Sequence, residues 1–306
     1  MLAGPDARRR AEQSISRALA IHPGHPEALL ERARLLSLDG RSVDAIRLAK
    51  QVVAADPNNA SARRTLATVL AFNDQHEEAL AEVETALRLD PILSVGASTT
   101  TGMVYFAAGN YEKAAKFYHD ATIRSPKSQI GYDGLLVSYA MLDRLDEAKV
   151  AVKNRLRILP STSVQFLSLY IQHTGADLRK RWLDAARKAG IPEWPFGFEG
   201  NEADRLKGAE ISAVMYGHEF KGKGQQYGSF QLSHNKKGDW IYTNPYFRLT
   251  GISYIKDDLI CFQSEFLVLG RIHCSPMYRN PKGNKAELSE YVRAGQFDII
   301  WFSPVD

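Results

Sequence analysis

The chain has 306 residues, enough for about two domains, and its 44% hydrophobic and 24% charged composition is that of globular proteins and excludes wholesale disorder. A formal net charge of +4 is too small to predict a nucleic-acid partner, and two cysteines exclude a disulfide-rich scaffold or a four-cysteine zinc module. No apolar run reaches the roughly 18 residues of a membrane span. The first residues lack the apolar core of a secretory signal, so we expect a cytoplasmic protein without membrane contact.

The first two thirds of the chain carry an internal repeat, marked by prolines with successive gaps of 34, 34, 35 and 34 residues. The prolines are Pro23, Pro57, Pro91, Pro126 and Pro160. A small residue recurs in phase with them, at Ala11, Ala45, Ala79, Ala114 and Ala148. A second small position seven residues later is alanine in three units, but Val52 and Arg155 depart from it. Each interval holds two amphipathic stretches of helical length, so the pattern predicts stacked helical hairpins, each ended by proline.

The third interval matches a known motif most fully. It carries Gly102, Tyr105, Ala114, Tyr118, Ala121 and Pro126 at the spacings of the tetratricopeptide repeat (TPR), which the chain resembles over a little more than half its length. The resemblance implies an all-α solenoid over residues 1–192, with full repeats at 26–59, 60–94, 95–128 and 129–162. Two further helices are predicted near 164–173 and 177–189, with Trp182 available to cap the last apolar face of the stack.

The first repeat is incomplete. Residues 7–21 match a second helix, with Ile15 and Leu19 on its apolar face, but no partner first helix precedes it. Leaving two such aliphatic side chains uncovered forfeits roughly 1.5–3 kcal/mol each. We therefore favour the hypothesis that the chain is the C-terminal piece of a longer protein; the alternative is a solitary capping helix, which solenoids also use.

Residues 193–306 predict a second, β-rich domain, so that the fold class is α+β in two domains. One helix is expected within residues 204–216, with Leu206, Ile211, Val214 and Met215 facing inward. About seven strands follow, separated by short turns, which favours an antiparallel sheet or small barrel. The predicted strands are 227–234, 239–243, 247–255, 259–264, 271–278, 289–293 and 297–302.

Several short strings in this domain form a recognisable set. They are Phe196-Gly197-Phe198-Glu199-Gly200, Asp204-Arg205-Leu206, Leu259-Ile260-Cys261, Cys274, Tyr278-Arg279-Asn280-Pro281 and Phe302-Ser303-Pro304. With the repeats, they resemble the part of bacterial TPR-containing adenylate/guanylate cyclase proteins that follows the catalytic domain. The resemblance covers the whole chain and implies a signalling role beside an upstream cyclase domain. No cyclase domain is present, because helical repeats occupy residues 1–192.

No segment of the chain carries a complete catalytic or metal-binding motif. The stretch from Gly217 to Gly224 approaches a phosphate-binding loop, but Gly224 stands where the motif needs Ser or Thr to hold magnesium, and we predict a flexible turn there. The eight histidines show no ligand spacing, and no serine or cysteine has a local nucleophile signature. We therefore predict no catalytic residue, no metal, no cofactor and no enzymatic activity.

The two cysteines, Cys261 and Cys274, fall on adjacent predicted strands, roughly opposite each other. A cross-strand disulfide, a pair of reduced thiols and a metal site with His273 are the alternatives. Because a cytoplasm is reducing, we favour buried reduced thiols.

The concave face of the repeats is the predicted functional surface, since stacked TPR first helices form grooves for peptides or helices. Its candidate residues are Arg34, Arg64, Thr68, Met103, Phe106, Asp133 and Val137. The groove is basic at its N-terminal end and apolar further on. It lacks the lysines and asparagines of TPRs that clamp chaperone carboxylates, which disfavours that partner class. The predicted function is binding of a protein or peptide partner, or of the parent chain's own upstream domain; the alternative is a small-ligand sensor with its site in the β domain.

Overall fold

The structure is a computed structural model that describes residues 5–264, 272–280, 289–295 and 298–305. It divides into two compact units. The helical unit contains residues 10–160 and 167–191, and the β unit contains residues 192–305 with residues 161–166 and 5–9. This division differs from the predicted boundary after residue 192, because residues 5–9, 161–166 and 192 group with the β unit. None of the described helices has the length and apolarity that crossing a membrane requires.

Eleven helices precede the β-rich region in the described part of the chain. They are α1 (Pro5–Ile21), α2 (Pro26–Leu38), α3 (Ser42–Ala55), α4 (Ala60–Ala71), α5 (His76–Leu89), α6 (Val95–Ala107), α7 (Tyr111–Arg124), α8 (Gln129–Met141), α9 (Leu145–Ile158), α10 (Val164–Ile171) and α11 (Ala176–Ala189). From α2 to α9 they form four consecutive hairpins, as the proline period predicts. The prediction of an all-α repeat solenoid followed by an antiparallel β domain is confirmed.

Part of the repeat period is explained by the cap at the start of the first helix of each hairpin. Shortly after each proline, a polar side chain accepts a hydrogen bond from a backbone N–H of the first turn. Asn59 caps α4 through Ala62 N at 2.9 Å, and Ser94 and Ser128 do the same for α6 and α8. The in-phase alanines of the second helices, from Ala45 to Ala148, are fully buried and let the helices approach closely. Proline, cap and alanine together therefore set the register of the stack.

The β unit contains helix α12 (Gly208–Met215) and, among the described residues, nine strands. The strands are β1 (Glu219–Gly224), β2 (Gly228–His234), β3 (Asp239–Thr243), β4 (Arg248–Lys256), β5 (Leu259–Gln263), β6 (His273–Ser275), β7 (Met277–Arg279), β8 (Tyr291–Ala294) and β9 (Ile299–Pro304). All pairings are antiparallel, in the order β6-β5-β4-β3-β2-β1-β9-β8-β7. The edge strands β6 and β7 are separated only by Pro276, so the sheet is nearly closed. Arg271, Pro281 and Phe297, which the sequence places in or beside strands, lie outside the described residues.

One sequence prediction in the β unit is wrong. The glycine-rich segment expected to be a flexible turn contains strand β1, which pairs with both β2 and β9. A Cβ atom on Gly222 would lie 2.3 Å from the Trp301 carbonyl oxygen, so the glycine permits close packing inside the sheet. The predicted inward side chains are confirmed: Leu206, Ile211 and Met215 are buried in the main core, and Val214 packs against it.

Candidate functional site

Helix α11 folds back over the stack. Gly175 N, just before α11, donates to Phe72 O at 2.8 Å, and Arg181 Nη2 donates to Ala107 O at 2.8 Å. Trp182 packs edge-on against Phe106, with ring centroids 4.8 Å apart. Helix α11 packs most extensively against α8 of the fourth repeat, as predicted for a cap, while the Trp182 ring itself reaches the third repeat, because rings and carbonyl groups at the end of α6 provide its partners.

This return path lines one side of a cavity of about 690 Å³ in the helical unit, which is open to solvent. Helices α2, α4, α6 and α8 supply one wall, and the segment from Leu167 to Trp182 supplies the other. The apolar lining includes Phe72, Met103, Leu167, Ile171 and Trp182. Helices α10 and α11 therefore narrow the groove that the first helices form. The repeat spacing alone does not reveal this narrowing.

Five of the seven predicted groove residues meet at this cavity. They are Arg34, Arg64, Thr68, Met103 and Asp133. The other two, Phe106 and Val137, are fully buried in the core and present no surface to a partner, so their assignment to the groove is wrong. Both lie on first helices, as predicted, but on the side covered by neighbouring helices.

Two arginines line the N-terminal end of the cavity, and each is paired with a carboxylate. Arg34 pairs with Glu31, and its Nη2 donates to Thr65 Oγ1 at 2.7 Å. Arg64 Nη2 donates to Asp90 Oδ2 at 2.9 Å, whereas Arg64 Nη1 is buried and has no hydrogen-bond partner among the described residues. A buried donor without a partner costs about 1–3 kcal/mol, and more when it is charged. Arg64 therefore has an unused donor in a desolvated setting.

A buried ion pair lies further along the cavity. Arg155 Nε donates to Asp133 Oδ1 at 2.6 Å, and the Arg155 side chain is only 1% exposed. Burial raises the pKa of Asp133, while the charge of Arg155 and its hydrogen bond oppose that rise. Burial also raises the pKa of the nearby Tyr170 to about 12, with the charge of Asp133 adding to the effect. This part of the wall is a low-dielectric environment in which charges act strongly.

Sequence reasoning missed Arg155, Tyr170 and Trp182 as cavity residues. Arg155 carried a signal, since it replaces a small residue of the repeat pattern. Tyr170 and Trp182 carried none, because their positions depend on how the chain turns back after the last repeat. The described residues contain no group of three or more His, Cys, Asp or Glu side chains arranged to hold a metal ion. What the cavity offers is hydrogen-bond donors, one neutralised ion pair and apolar surface, which is chemistry for binding.

A second cavity, of about 700 Å³, lies within the β unit. Residues from separate strings of the cyclase resemblance meet there, including Phe196–Gly200, Asp204 and Tyr278–Asn280. Val292, Ile299 and Trp301 complete the apolar part of its lining. Three of the six strings therefore contribute to one cavity, whereas Leu259–Cys261, Cys274 and Phe302–Pro304 do not line it.

The two cysteines form a disulfide. Cys261 on β5 lies directly opposite Cys274 on β6, and their sulfur atoms are bonded. The prediction of reduced thiols is therefore wrong for this structure. The sequence correctly placed the two cysteines opposite each other on adjacent strands, but the expectation of a reducing compartment led to the wrong redox state.

Comparison with known proteins identifies the repeat. Two models described as tetratricopeptide repeat match residues 5–60 and 38–91. TTC0263, a thermophilic TPR protein of Thermus thermophilus, is 24% identical, with a TM-score of 0.43 over 59% of this chain and 93% of its own. No curated protein sequence matches the chain.

Two further solved structures are similar to a comparable share of this chain. PilW, a type IV pilus biogenesis factor, is 19% identical with a TM-score of 0.45, covering 60% of this chain and 82% of its own. YrrB, described as a TPR protein with an unusual peptide-binding site, is 18% identical with a TM-score of 0.40, covering 57% and 90%. The family models and these structures concern the repeats.

Proposed function

We propose that the chain is a non-catalytic interaction module whose helical-unit cavity binds a short segment of a protein partner bearing an acidic side chain. The observation that carries the proposal is the buried, unpartnered Nη1 of Arg64. A carboxylate that enters the cavity would accept from this donor once the Arg64 side chain turns toward it, and hydrogen bonds to charged groups contribute about 1.5–3 kcal/mol. Phe72, Met103 and Ile130, which line the cavity and are not fully buried, supply apolar surface for a neighbouring side chain.

The size of the cavity matches a short segment. The cavity measures about 690 Å³. Sites of about 300–1,000 Å³ are typical for small ligands, and a few residues in extended form match that range.

The proposed biological setting follows from the cyclase resemblance. We place the module in a larger bacterial signalling protein with an upstream nucleotide cyclase domain, so that the occupant is a segment of the parent chain or of a recruited protein. The reading frame upstream of Met1 in the parent gene tests this, and a stop codon just before Met1 would contradict it. The proposed compartment is the cytoplasm; fractionation of intact cells tests it, and recovery of the chain outside the cytoplasmic fraction would contradict it.

A library of displayed hexapeptides, selected on the full chain, tests the binding proposal. We expect selected peptides to contain Asp or Glu, and we expect Arg64→Gln to weaken their binding roughly 10- to 150-fold without unfolding the protein. Arg63→Gln is the matched control, because Arg63 lies on the same helix, pairs with Glu82 at 2.6 Å and does not line the cavity. Selected peptides without acidic residues, or equal loss in both variants, would contradict the proposal.

Small-ligand sensing by the β unit is the second candidate function. Its support is the cavity of about 700 Å³, where aromatic side chains, among them Phe198, Tyr278 and Trp301, stand beside polar ones such as Asn201 and Asn280. A thermal-shift screen of small molecules tests it. Stabilisation of the wild type that is lost in Trp301→Ala supports this function, and stabilisation that persists in the variant places the ligand elsewhere.

A further inference from the structure

The cavity of the β unit brings aromatic rings and carboxylates together. Its lining includes four aromatic and two acidic side chains: Phe196, Phe198, Tyr278, Trp301, Glu199 and Asp204. Its volume of about 700 Å³ is that of a small-molecule site. The face of an aromatic ring is negative and attracts cations, as a carboxylate does. Both classes of side chain therefore favour a positively charged ligand.

Local packing holds the rings at the wall of this cavity. The Tyr278 ring lies against the backbone of Gly200, where a Cβ atom would lie 2.3 Å from the ring. Phe198 meets Tyr278 edge to face, with ring centres 5.6 Å apart. Phe196 has a φ of +58°, a left-handed conformation that bulky residues rarely adopt, and it is 36% exposed. Backbone strain of this kind is concentrated at ligand-binding segments.

The charges of the lining favour a cation over an anion. Asp204 Oδ2 accepts a hydrogen bond from Asn201 Nδ2 at 2.8 Å, and a neutral amide leaves the negative charge of the carboxylate in place. The basic side chain in the lining, Arg279, already has a counter-charge, because its guanidinium pairs with Glu210. Glu210 and, more weakly, Asp204 raise the pKa of Arg279. The described wall thus presents more negative than positive charge to a ligand.

From this lining we propose that the β-unit cavity binds a small organic ammonium ion, with its apolar substituents against the rings and its charge near Glu199 and Asp204. The inference rests on small-ligand sensing, the second function proposed for the chain, and names the class of ligand. Tryptophan gives the strongest cation–π contact, so we expect Trp301 to contribute most to the preference for a cation. Asn201 and Asn280 offer hydrogen bonds to a polar substituent.

Fluorine NMR of the full chain labelled with 5-fluorotryptophan tests the proposal. The chain has four tryptophans, and Trp301→Phe assigns the Trp301 signal. The probes are choline and 2-phenylethylammonium at constant ionic strength, and 3,3-dimethyl-1-butanol and 2-phenylethanol are their uncharged analogues. We expect at least one ammonium ion to shift the Trp301 signal and to bind about 2- to 30-fold more tightly than its analogue, the range for a cation–π contact.

Glu199→Gln tests the contribution of a carboxylate, and we expect this variant to fold because Glu199 is exposed. It should weaken binding of the ammonium ion about 2- to 5-fold, the size of an exposed ion pair, and leave binding of the alcohol unchanged. Glu219→Gln is the matched control, since Glu219 is exposed on β1 and does not line the cavity.

Three outcomes overturn the proposal: neither ammonium ion shifts the Trp301 signal, each alcohol binds as tightly as its charged analogue, or the two glutamine variants bind the ammonium ion equally. Binding of an alcohol that shifts the Trp301 signal without a preference for charge would leave small-ligand sensing in place and remove the ammonium ion as its ligand class. If no probe and no compound of the thermal-shift screen depends on Trp301, both the ligand class and the sensing function are contradicted.

Discussion

Replacing Arg155 by methionine tests the buried ion pair beside the helical-unit cavity. Arg155 is 1% exposed and the Asp133 side chain 13% exposed, so the substitution leaves a carboxylate desolvated and without its partner. Removing one member of a buried pair costs about 3–5 kcal/mol. We therefore expect the free energy of unfolding at pH 7, measured by urea titration with circular dichroism, to fall by about that amount.

The loss should depend on pH with a definite sign. In the wild type, burial already places the pKa of Asp133 above its ordinary value of 3.8, and Arg155 opposes that rise. Without Arg155 the pKa rises further, so the folded variant binds its proton more tightly than the unfolded chain does. The destabilisation is therefore smallest near about pH 4 and grows as the pH rises through the folded-state pKa.

Two variants control this experiment. Arg157→Met changes an exposed arginine of the same helix and should cost less than about 0.5 kcal/mol. Adding Asp133→Asn to Arg155→Met removes the orphaned charge, so we expect the double variant to recover most of the pH 7 loss and to lose the pH dependence. A cost below about 1 kcal/mol for Arg155→Met, or a loss equal at pH 4 and pH 7, would refute the reasoning.

Three further predictions follow from individual contacts. Trp182→Ala should lower the free energy of unfolding by about 3–5 kcal/mol, since the indole is 3% exposed. A far smaller loss, as expected for an exposed side chain, would contradict this packing. Gly134→Ala should destabilise the protein, because its Cβ atom would lie 2.1 Å from the Tyr118 ring. Gly96→Ala should stabilise it by up to about 1 kcal/mol, because the nearest neighbouring atom is 4.0 Å from that Cβ position. The reverse order of stabilities would contradict the packing. The unreduced chain should weigh about 2 Da less than the reduced one, and reduction of the bond between Cys261 and Cys274 should cost about 3 kcal/mol in urea titrations; equal masses would contradict the disulfide.

The repeat part of the fold was predictable because its signals are local and periodic. The proline, the cap and the buried alanine of each unit lie within one hairpin, so position in the sequence reports position in space. The path of α11 is different. Whether Trp182 covers the fourth repeat or reaches Phe106 in the third depends on long-range contacts that no local pattern encodes. For the same reason, sequence reasoning found five cavity residues and missed the wall opposite them.

The candidate site was only partly predictable, because the sequence does not show which face of a first helix is exposed. Phe106 and Val137 lie on first helices, like Met103, yet they are fully buried because a first helix packs against neighbours on more than one side. In the β unit, Gly222 and Gly224 suggested a turn, although strands also use glycine where a backbone or a ring approaches closely. The hydrophobic pattern gave the antiparallel order of strands, but it did not reveal that the charges of Arg293 and Asp298 act on each other within the β unit.

Site-specific photocrosslinking measures occupancy of the helical-unit cavity most directly. A benzophenone amino acid at position 103 faces the cavity, whereas one at position 150 replaces Val150, which is 61% exposed on α9. With the peptides selected on the wild type, the account predicts crosslinks from position 103 that disappear in Arg64→Gln and are absent from position 150. Equal crosslinking from both positions, or labelling at position 103 that is unchanged by Arg64→Gln, would contradict it.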